Sequence, residues 1–217
     1  MTAAACEPDE YAPAGAGMRP GSQLAHLVGP GGAGKTTVGA LLAGRLGWDF
    51  IDLDQAFLAQ HGHIATFIDT QGYEAYARHN VALYARIRRA LRRPGVAALS
   101  SGFMTYPAAI GGGYAEHRAA IEAAAHTVLL LPSLDVERCV DVLVARQLSR
   151  PYLDGDRGQH ERRVRERMPA FLALRCARHV GTEAPQCIAT AAKARTTATK
   201  SSVTGHRFLV KSRSSAF

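Results

Sequence analysis

The chain has 217 residues, of which 47% are hydrophobic and 20% charged, and its formal net charge is +8. This length suits one α/β domain with a substantial core and is short for two. No apolar run approaches the roughly 20 residues of a membrane-spanning helix, and the N-terminus lacks the pattern of a signal peptide. Its four cysteines are widely spaced, without the pairing typical of a metal site. The composition therefore predicts a cytoplasmic protein that does not span a membrane.

The positive charge is concentrated near the C-terminus. Residues 175–217 contain eight lysines and arginines and one acidic residue, so residues 1–174 carry only about +1. No nucleic-acid-binding motif accompanies this charge, so nucleic acid is not expected as a partner.

Residues 1–22 and 183–217 lack hydrophobic periodicity, which predicts disordered segments on both sides of a domain at 23–182. We expect a monomer that binds a small molecule.

The most informative motif follows the first predicted strand, Leu24–Val28. The sequence GPGGAGKT at 29–36 matches the pattern G-x-x-x-x-G-K-[ST] and precedes a helix predicted over about 35–46. In such a loop, backbone N–H groups face phosphate oxygens, the lysine reaches the β- and γ-phosphates, and the hydroxyl binds Mg²⁺. The motif therefore predicts a nucleoside triphosphate site. Its predicted residues are Gly29, Gly31, Gly32, Ala33, Gly34, Lys35, Thr36 and Thr37.

Two carboxylates end the second predicted strand, at 48–54. Residues two apart in a strand point to the same side of the sheet. The carboxyl ends of parallel strands border the ligand-binding crevice of open α/β sheets. We therefore expect Asp52 and Asp54 to face the bound ligand together.

The remaining elements alternate between helices and strands, which predicts a parallel sheet with helices on both faces. Tyrosines at helical spacing in the first of these helices are interpreted as packing residues. In chain order, the predicted elements are a long helix over about 73–91, a strand at 96–99 ending in Ser100-Ser101-Gly102, a short helix near 118–124, a strand at Thr127–Leu131, a helix over about 134–148, a polar, mobile lid at 150–158, a helix over about 159–174 and an edge strand near 178–182.

Several separated motifs resemble the shikimate kinase family, in the nucleoside-monophosphate-kinase-like branch of P-loop kinases. Besides the phosphate loop they are LGWDFIDLD at 46–54, RPYL at 150–153 and RMPAF at 167–171, which is similar to the family's R-x-P-L-Y segment. The resemblance covers about residues 24–182. It implies a five-stranded parallel sheet in the order 2-3-1-4-5, flanked by helices, with a mobile lid.

The resemblance also implies an activity. ATP, with Mg²⁺, would phosphorylate a hydroxyl of a polar carboxylated metabolite, with shikimate, giving shikimate 3-phosphate, as the first candidate. Thr36 and Asp52 would hold the metal, and Lys35, Asp54 and Arg150 would be the catalytic residues. The resemblance further implies nucleotide contacts from Arg146 and Arg150, and acceptor contacts from Asp54, Arg78, Ser101, Gly102 and Arg167.

The acceptor half departs from the family pattern. Where the family carries G-E-x-x-F-R-x-x-E, residues 72–80 read GYEAYARHN, which places Ala77 at the arginine position and Asn80 at the last glutamate. Arg78 is adjacent to the arginine position, but one residue along a helix turns a side chain by about 100°. Three family glycines appear as Ser100-Ser101-Gly102. Two alternatives therefore stay open: a kinase of another acceptor, such as gluconate or a nucleoside-like compound, and a non-catalytic ATP-binding adaptor.

Overall fold

The computed structural model describes residues 23–149 and 156–204, with the helical backbone alone for 197–204. The disorder predicted for residues 1–22, the role of Arg150 and most of the predicted lid lie outside the described residues. The last three residues of that predicted lid, 156–158, are described: Asp156 caps a helix that begins at Arg157, and its side chain accepts the Gln159 N–H.

Five parallel strands form one sheet in the order β2-β3-β1-β4-β5, which confirms the predicted order 2-3-1-4-5. The strands are β1 (Leu24–Val28), β2 (Asp49–Asp52), β3 (Gly95–Ala98), β4 (Thr127–Leu131) and β5 (Ala177–Val180). Every residue of β3 and β4 is buried. Such continuous burial is typical of parallel strands covered on both faces. This arrangement places the ends of β1, β2 and β3 side by side.

Helices cover both faces of the sheet. They are α1 (Lys35–Leu46), α2 (Leu53–His61), α3 (Ile64–Gln71), α4 (Tyr73–Ala90), α5 (Tyr114–Ala123), α6 (Val136–Leu148), α7 (Arg157–Leu172) and α8 (Pro185–Thr204), with short 3₁₀ turns at Phe103–Thr105 and Ala108–Ile110. Helix α1 ends as its sequence predicts: Gly47 adopts a left-handed conformation with φ of 65°, and its N–H bonds the carbonyls of Ala43 and Gly44. Among the described residues, no helix is long and apolar enough to cross a lipid bilayer.

The predicted second strand is shorter than expected. Strand β2 stops at Asp52, and Asp54 lies in the first turn of α2. The Asp52 carboxylate accepts the N–H groups of Asp54 and Gln55, at 3.0 and 3.1 Å. An aspartate that caps N–H groups in this way starts a helix. The expectation that both aspartates extend from one strand is therefore wrong.

The segment after residue 183 is not disordered throughout, because residues 185–204 form helix α8. Its inner face buries Ile188, Ala189, Ala192 and Thr196. The Arg45 guanidinium of α1 donates to the Thr190 hydroxyl at 2.8 Å, and the Lys193 ammonium donates to the Arg45 carbonyl at 2.9 Å. Disorder is thus the wrong prediction for 185–204, while residues 205–217 lie outside the described part of the chain.

A histidine inside strand β1 makes the stability of the fold sensitive to acid. His26 is 5% exposed and lies between the hydroxyls of Tyr84, at 3.0 Å, and Thr127, at 3.3 Å. Burial, assisted by Arg88, lowers the pKa of His26 from 6.5 to about 3. Between these two pH values the unfolded chain binds a proton that the folded chain does not, so acid favours unfolding.

We expect the free energy of unfolding to fall by about 1.4 kcal/mol per pH unit below pH 6.5 because of this residue. A His26→Leu variant loses two hydrogen bonds and is less stable at pH 7.5, but its stability falls less steeply between pH 6.5 and 4.5. Urea titrations at several pH values measure the slope, with exposed His63→Leu as the control. Equal slopes for the parent and His26→Leu would contradict the assignment.

Candidate active site

A pocket at the carboxyl edge of the sheet collects most of the predicted site residues. The phosphate loop, the start of α2, the end of β3 and one face of α7 enclose it. The predicted residues that line it are Gly31, Gly32, Gly34, Lys35, Thr36, Thr37, Asp52, Asp54, Ser101 and Arg167. Three polar side chains that the sequence analysis did not select also line it: Gln147, His160 and Arg163.

The phosphate loop is shaped by glycines that other residues could not replace without strain. Gly32 and Gly34 have φ values of 83° and 92°, and Gly29 has 144°. A Cβ atom on Gly29 would lie 2.6 Å from the Leu130 carbonyl oxygen. Positive φ values cost side-chain-bearing residues free energy. The loop can therefore wrap closely around a phosphate group.

Side chains at the end of α6 support the loop from behind. Gln147 donates to the Gly31 carbonyl at 3.1 Å, and Arg146 donates to the Gly32 carbonyl at 3.3 Å. Within the loop, Lys35 donates to the carbonyls of Gly29 and Pro30, at 2.8 and 2.9 Å. The structure thus brings Arg146 to the phosphate loop itself, and it places the Lys35 ammonium at the pocket.

Thr36 and Asp52 provide oxygen atoms beside the loop. The Thr36 hydroxyl donates to the Asp52 carboxylate at 2.6 Å. A hydroxyl and a carboxylate are the oxygen ligands that Mg²⁺ uses together with waters and phosphates. This pair, next to Lys35, fits a magnesium ion that accompanies a triphosphate.

Asp54 is a carboxylate in an environment that favours its protonated form. Burial raises the pKa of Asp54, while hydrogen bonds from Ser100 and Tyr76 and the charge of Lys35 oppose the rise. A carboxylate with a raised pKa is a stronger base than an exposed one. Asp54 can therefore accept a proton from a hydroxyl bound in the pocket.

A buried amide positions the partners of Asp54. Asn80 is fully buried, and its amide nitrogen lies 2.8 Å from the Ser100 hydroxyl, 3.1 Å from that of Tyr76 and 3.0 Å from that of Tyr106. Three hydroxyls share two amide hydrogens, so this network constrains their positions together. Asn80 acts through Ser100 and Tyr76 and is a positioning residue for Asp54.

Arg167 is held at the other side of the pocket by residues of helix α4 and of the turn after β3. Its guanidinium donates to the Tyr73 hydroxyl at 2.8 Å and to the Ser101 hydroxyl at 3.3 Å, and it lies 5.7 Å from the centre of the Tyr73 ring. Gly102 allows this arrangement, because a Cβ there would collide with the Tyr73 hydroxyl. Arg167, Ser101 and Gly102 are therefore brought together.

Arg78 is not brought to this pocket. Its side chain is 59% exposed and forms an ion pair with Glu74 on the outer face of α4. Its neighbour Ala77 is fully buried. Since adjacent helical residues point about 100° apart, the burial of Ala77 directs Arg78 towards solvent.

Sequence reasoning missed several residues because their roles depend on contacts across the fold. Tyr73 and Tyr76 do pack against aromatic rings, as interpreted, but their hydroxyls also bond Arg167 and Asn80. Asn80 donates a hydrogen bond to Ser100, which lies 20 positions further along the chain. No local pattern distinguishes Arg163 from the other arginines of α7; only the docking of that helix selects it.

Comparisons with known proteins identify the family to which a chain with this phosphate loop and fold belongs. The family model described as shikimate kinase matches residues 31–195. The chain is 35% identical over 164 residues to the shikimate kinase of Nitratidesulfovibrio vulgaris, a match that covers 71% of this chain and 83% of that protein. It is 39% identical over 84 residues to the shikimate kinase of Chlorobium phaeovibrioides, which covers 38% of this chain and 42% of that relative.

The fold agrees as well. The solved structure of a shikimate kinase from Acinetobacter baumannii in complex with shikimate is similar, with a TM-score of 0.62 at 23% identity, over 82% of this chain and 95% of that one. At this identity the likeness shows the fold alone, whereas the family model matches most of the chain. The chain therefore belongs to the shikimate kinase family, and it is a phosphotransferase that uses ATP to phosphorylate a hydroxyl group.

Proposed function

We propose that the protein transfers the γ-phosphoryl group of ATP to a hydroxyl of shikimate, giving shikimate 3-phosphate and ADP. The observation that carries this proposal is that one pocket combines three kinds of functional group: a phosphate loop with Lys35, a basic carboxylate at Asp54 and a guanidinium at Arg167. These are the groups that bind a triphosphate, accept a hydroxyl proton and bind a carboxylate. Membership of the shikimate kinase family supports the same acceptor.

ATP would bind with its phosphates against the loop at 29–36. The Lys35 ammonium, which bonds two loop carbonyls in this structure, would then turn to the phosphate oxygens. Thr36 and Asp52 would hold Mg²⁺, directly or through water, because their oxygens already lie together. When bound, that ion neutralises negative charge on the phosphates.

Asp54 would act as the general base of the transfer. Its carboxylate takes the proton of the acceptor hydroxyl as the hydroxyl oxygen bonds the γ-phosphorus. The bond from that phosphorus to the oxygen bridging the β- and γ-phosphates breaks, and ADP leaves with the electron pair. Lys35 stabilises the charge that develops on the phosphoryl oxygens.

Arg167 would bind the acceptor's carboxylate, since a guanidinium can donate two parallel hydrogen bonds to it. Its orientation is set by the hydroxyls of Tyr73 and Ser101. A second candidate is phosphorylation of another polar acid, such as gluconate. The observation that favours it is Ala77, which is fully buried and supplies no cation from α4.

The test is ADP release from ATP and Mg²⁺ with shikimate, with gluconate or with no acceptor. We expect shikimate-dependent ADP from the parent, and a loss of at least about 100-fold in kcat/KM for Lys35→Met, because one charged donor to the transferred group is removed. Lys193→Met, on α8, is the matched control and keeps its activity. ADP release with gluconate alone would reassign the acceptor. ATP binding with no acceptor-dependent ADP would favour the adaptor alternative.

A further inference from the structure

One face of helix α7 turns three polar side chains towards the pocket. His160, Arg163 and Arg167 follow one another at intervals of three and four residues, which places them on the same side of a helix, and all three line the pocket. We call these residues the α7 strip. Arg165 does not belong to it, because its guanidinium pairs with Glu137 on α6 at 2.5 and 2.7 Å. Arg163 is exposed like Arg162 and Arg165, but of these three arginines it alone lines the pocket.

Arg163 has a charge with no protein partner in the described part of the chain. None of the hydrogen bonds or ion pairs found there involves it, although it lines the pocket. Its charge nevertheless acts on the acceptor side. Burial raises the pKa of Tyr73, and the guanidinium groups of Arg167 and Arg163 both oppose that rise. Arg163 thus lies near the tyrosine that holds Arg167.

The first turns of α4 contact pocket-lining residues through hydroxyl groups and supply no cation to them. Tyr73 and Tyr76 contribute hydroxyls. Ala77 is fully buried, and the charge of Arg78 is paired with Glu74 away from the pocket. On this side of the pocket, the cations available to an anionic acceptor therefore come from α7.

His160 provides an independent sign of a ligand. It is 2% exposed, and neither ring nitrogen has a hydrogen-bond partner among the described residues. Buried polar atoms are nearly always bonded, and exceptions point to a missing water or ligand. Because His160 lines the pocket, a molecule bound there can supply the partner once the ring turns to meet it.

We propose that the α7 strip is the acceptor-recognition surface, in which Arg163 is a second guanidinium for the carboxylate bound by Arg167 and His160 donates a hydrogen bond to an oxygen of the same acceptor. This inference rests on the proposed function and names two further specificity-determining residues for it. Side chains one turn apart lie about 5–6 Å from each other at Cβ, so two guanidinium groups can share one carboxylate. The acceptor class is thus a polyol that carries one carboxylate.

The first experiment compares Arg163→Met with Arg162→Met, a matched exposed arginine that does not line the pocket. We expect Arg163→Met to raise the KM for shikimate about 10-fold or more, since a charge-assisted hydrogen bond is lost. The KM for ATP stays within about twofold, and Arg162→Met behaves like the parent. The methyl ester of shikimate, whose carboxylate is neutralised, is turned over alike by Arg163→Met and the parent.

The second experiment uses His160→Phe, which keeps a ring of similar shape but removes both nitrogens. We expect an unchanged or higher midpoint of thermal unfolding, because an unbonded buried group is removed, together with a KM for shikimate raised about threefold or more. A histidine with only a packing role would leave that KM unchanged, and this result would remove His160 from the strip.

The outcomes separate this inference from the proposed function. Shikimate turnover by the parent with equal KM values for Arg163→Met and Arg162→Met overturns the inference and leaves the function intact. An equal loss on shikimate and on its methyl ester, or a raised KM for ATP instead, also overturns the carboxylate assignment of Arg163. A parent that neither phosphorylates shikimate nor binds it in a calorimetric titration overturns both.

Discussion

Asp54→Asn is expected to lower kcat/KM by about 10³-fold, because a general base contributes rate enhancements of about 10² to 10⁴. The amide keeps the shape of the carboxylate, and its one oxygen can still accept a hydrogen bond from Ser100 or Tyr76. It cannot accept the proton of the acceptor. Steady-state kinetics with saturating ATP measure the loss. In the parent, the acidic limb of the profile of kcat/KM against pH is expected above pH 3.8, the ordinary pKa of an aspartate, since burial raises the pKa of Asp54.

The same variant is expected to be more stable than the parent at pH 7. A carboxyl group whose pKa is raised by folding opposes folding when it is ionised, by about 1.4 kcal/mol for each unit of the shift. Asparagine removes this cost, so the free energy of unfolding rises at neutral pH, and the difference shrinks as the pH falls towards 3.8. Urea titrations of the ligand-free protein at pH 7 and pH 4 measure both values.

Exposed Asp69→Asn, on α3, is the matched control and is expected to change neither quantity. If Asp54→Asn kept its activity within about tenfold of the parent, another group would accept the proton. If the variant lost activity and stability together, Asp54 would contribute to the fold rather than oppose it. A gain in stability with a loss of activity is the pattern of a group placed for function.

Gly29→Ala is expected to have the largest effect on stability, a loss of about 3 kcal/mol or more in the free energy of unfolding. Its φ of 144° is rarely adopted by residues with a side chain, and the added Cβ would lie 2.6 Å from the Leu130 carbonyl oxygen. Either β4 or the phosphate loop must shift. A shifted loop no longer directs its N–H groups at a phosphate, so we expect nucleotide affinity to fall as well.

Gly44→Ala is the matched control, since Gly44 lies within helix α1 and nothing lies within 4 Å of the position of a Cβ there. Alanine at an unobstructed helical position stabilises by about 0.5–1 kcal/mol. Urea titrations and titration with ADP, followed by calorimetry, measure the two variants. Equal stabilities for Gly29→Ala and the parent would mean that the loop relaxes without strain.

Local patterns predicted the elements that bind phosphate and the strands that carry them. The strands at Leu24–Val28 and Thr127–Leu131 and the helix from Lys35 are read from apolar runs and from glycines at loop positions. Backbone preferences act over a few residues, so these elements form where the local sequence predicts them, whatever packs against them. The family resemblance added the strand order, which no local pattern contains.

Helix α8 shows where a local signal was present but weak. Pro185 occupies the first helical position, a common start, and the buried residues at 188, 189, 192 and 196 recur at helical spacing. Most of them are small, so the hydrophobic pattern is faint. Docking against α1, including the bonds between Arg45 and residues of α8, stabilises this helix.

The sequence by itself predicted a triphosphate site on a parallel sheet, because the phosphate loop is one continuous segment that contains all of its glycines and its lysine. Only the tertiary structure decided which side chains meet in the part of the pocket proposed to bind the acceptor. Asn80 reaches Ser100, and Tyr73 reaches Arg167, across 20 and 94 positions of the chain. The packing of α7 likewise decides that Arg163 faces the pocket and Arg162 does not. A side chain's neighbours across a fold depend on how helices dock, and the spacing of residues along one helix does not specify that.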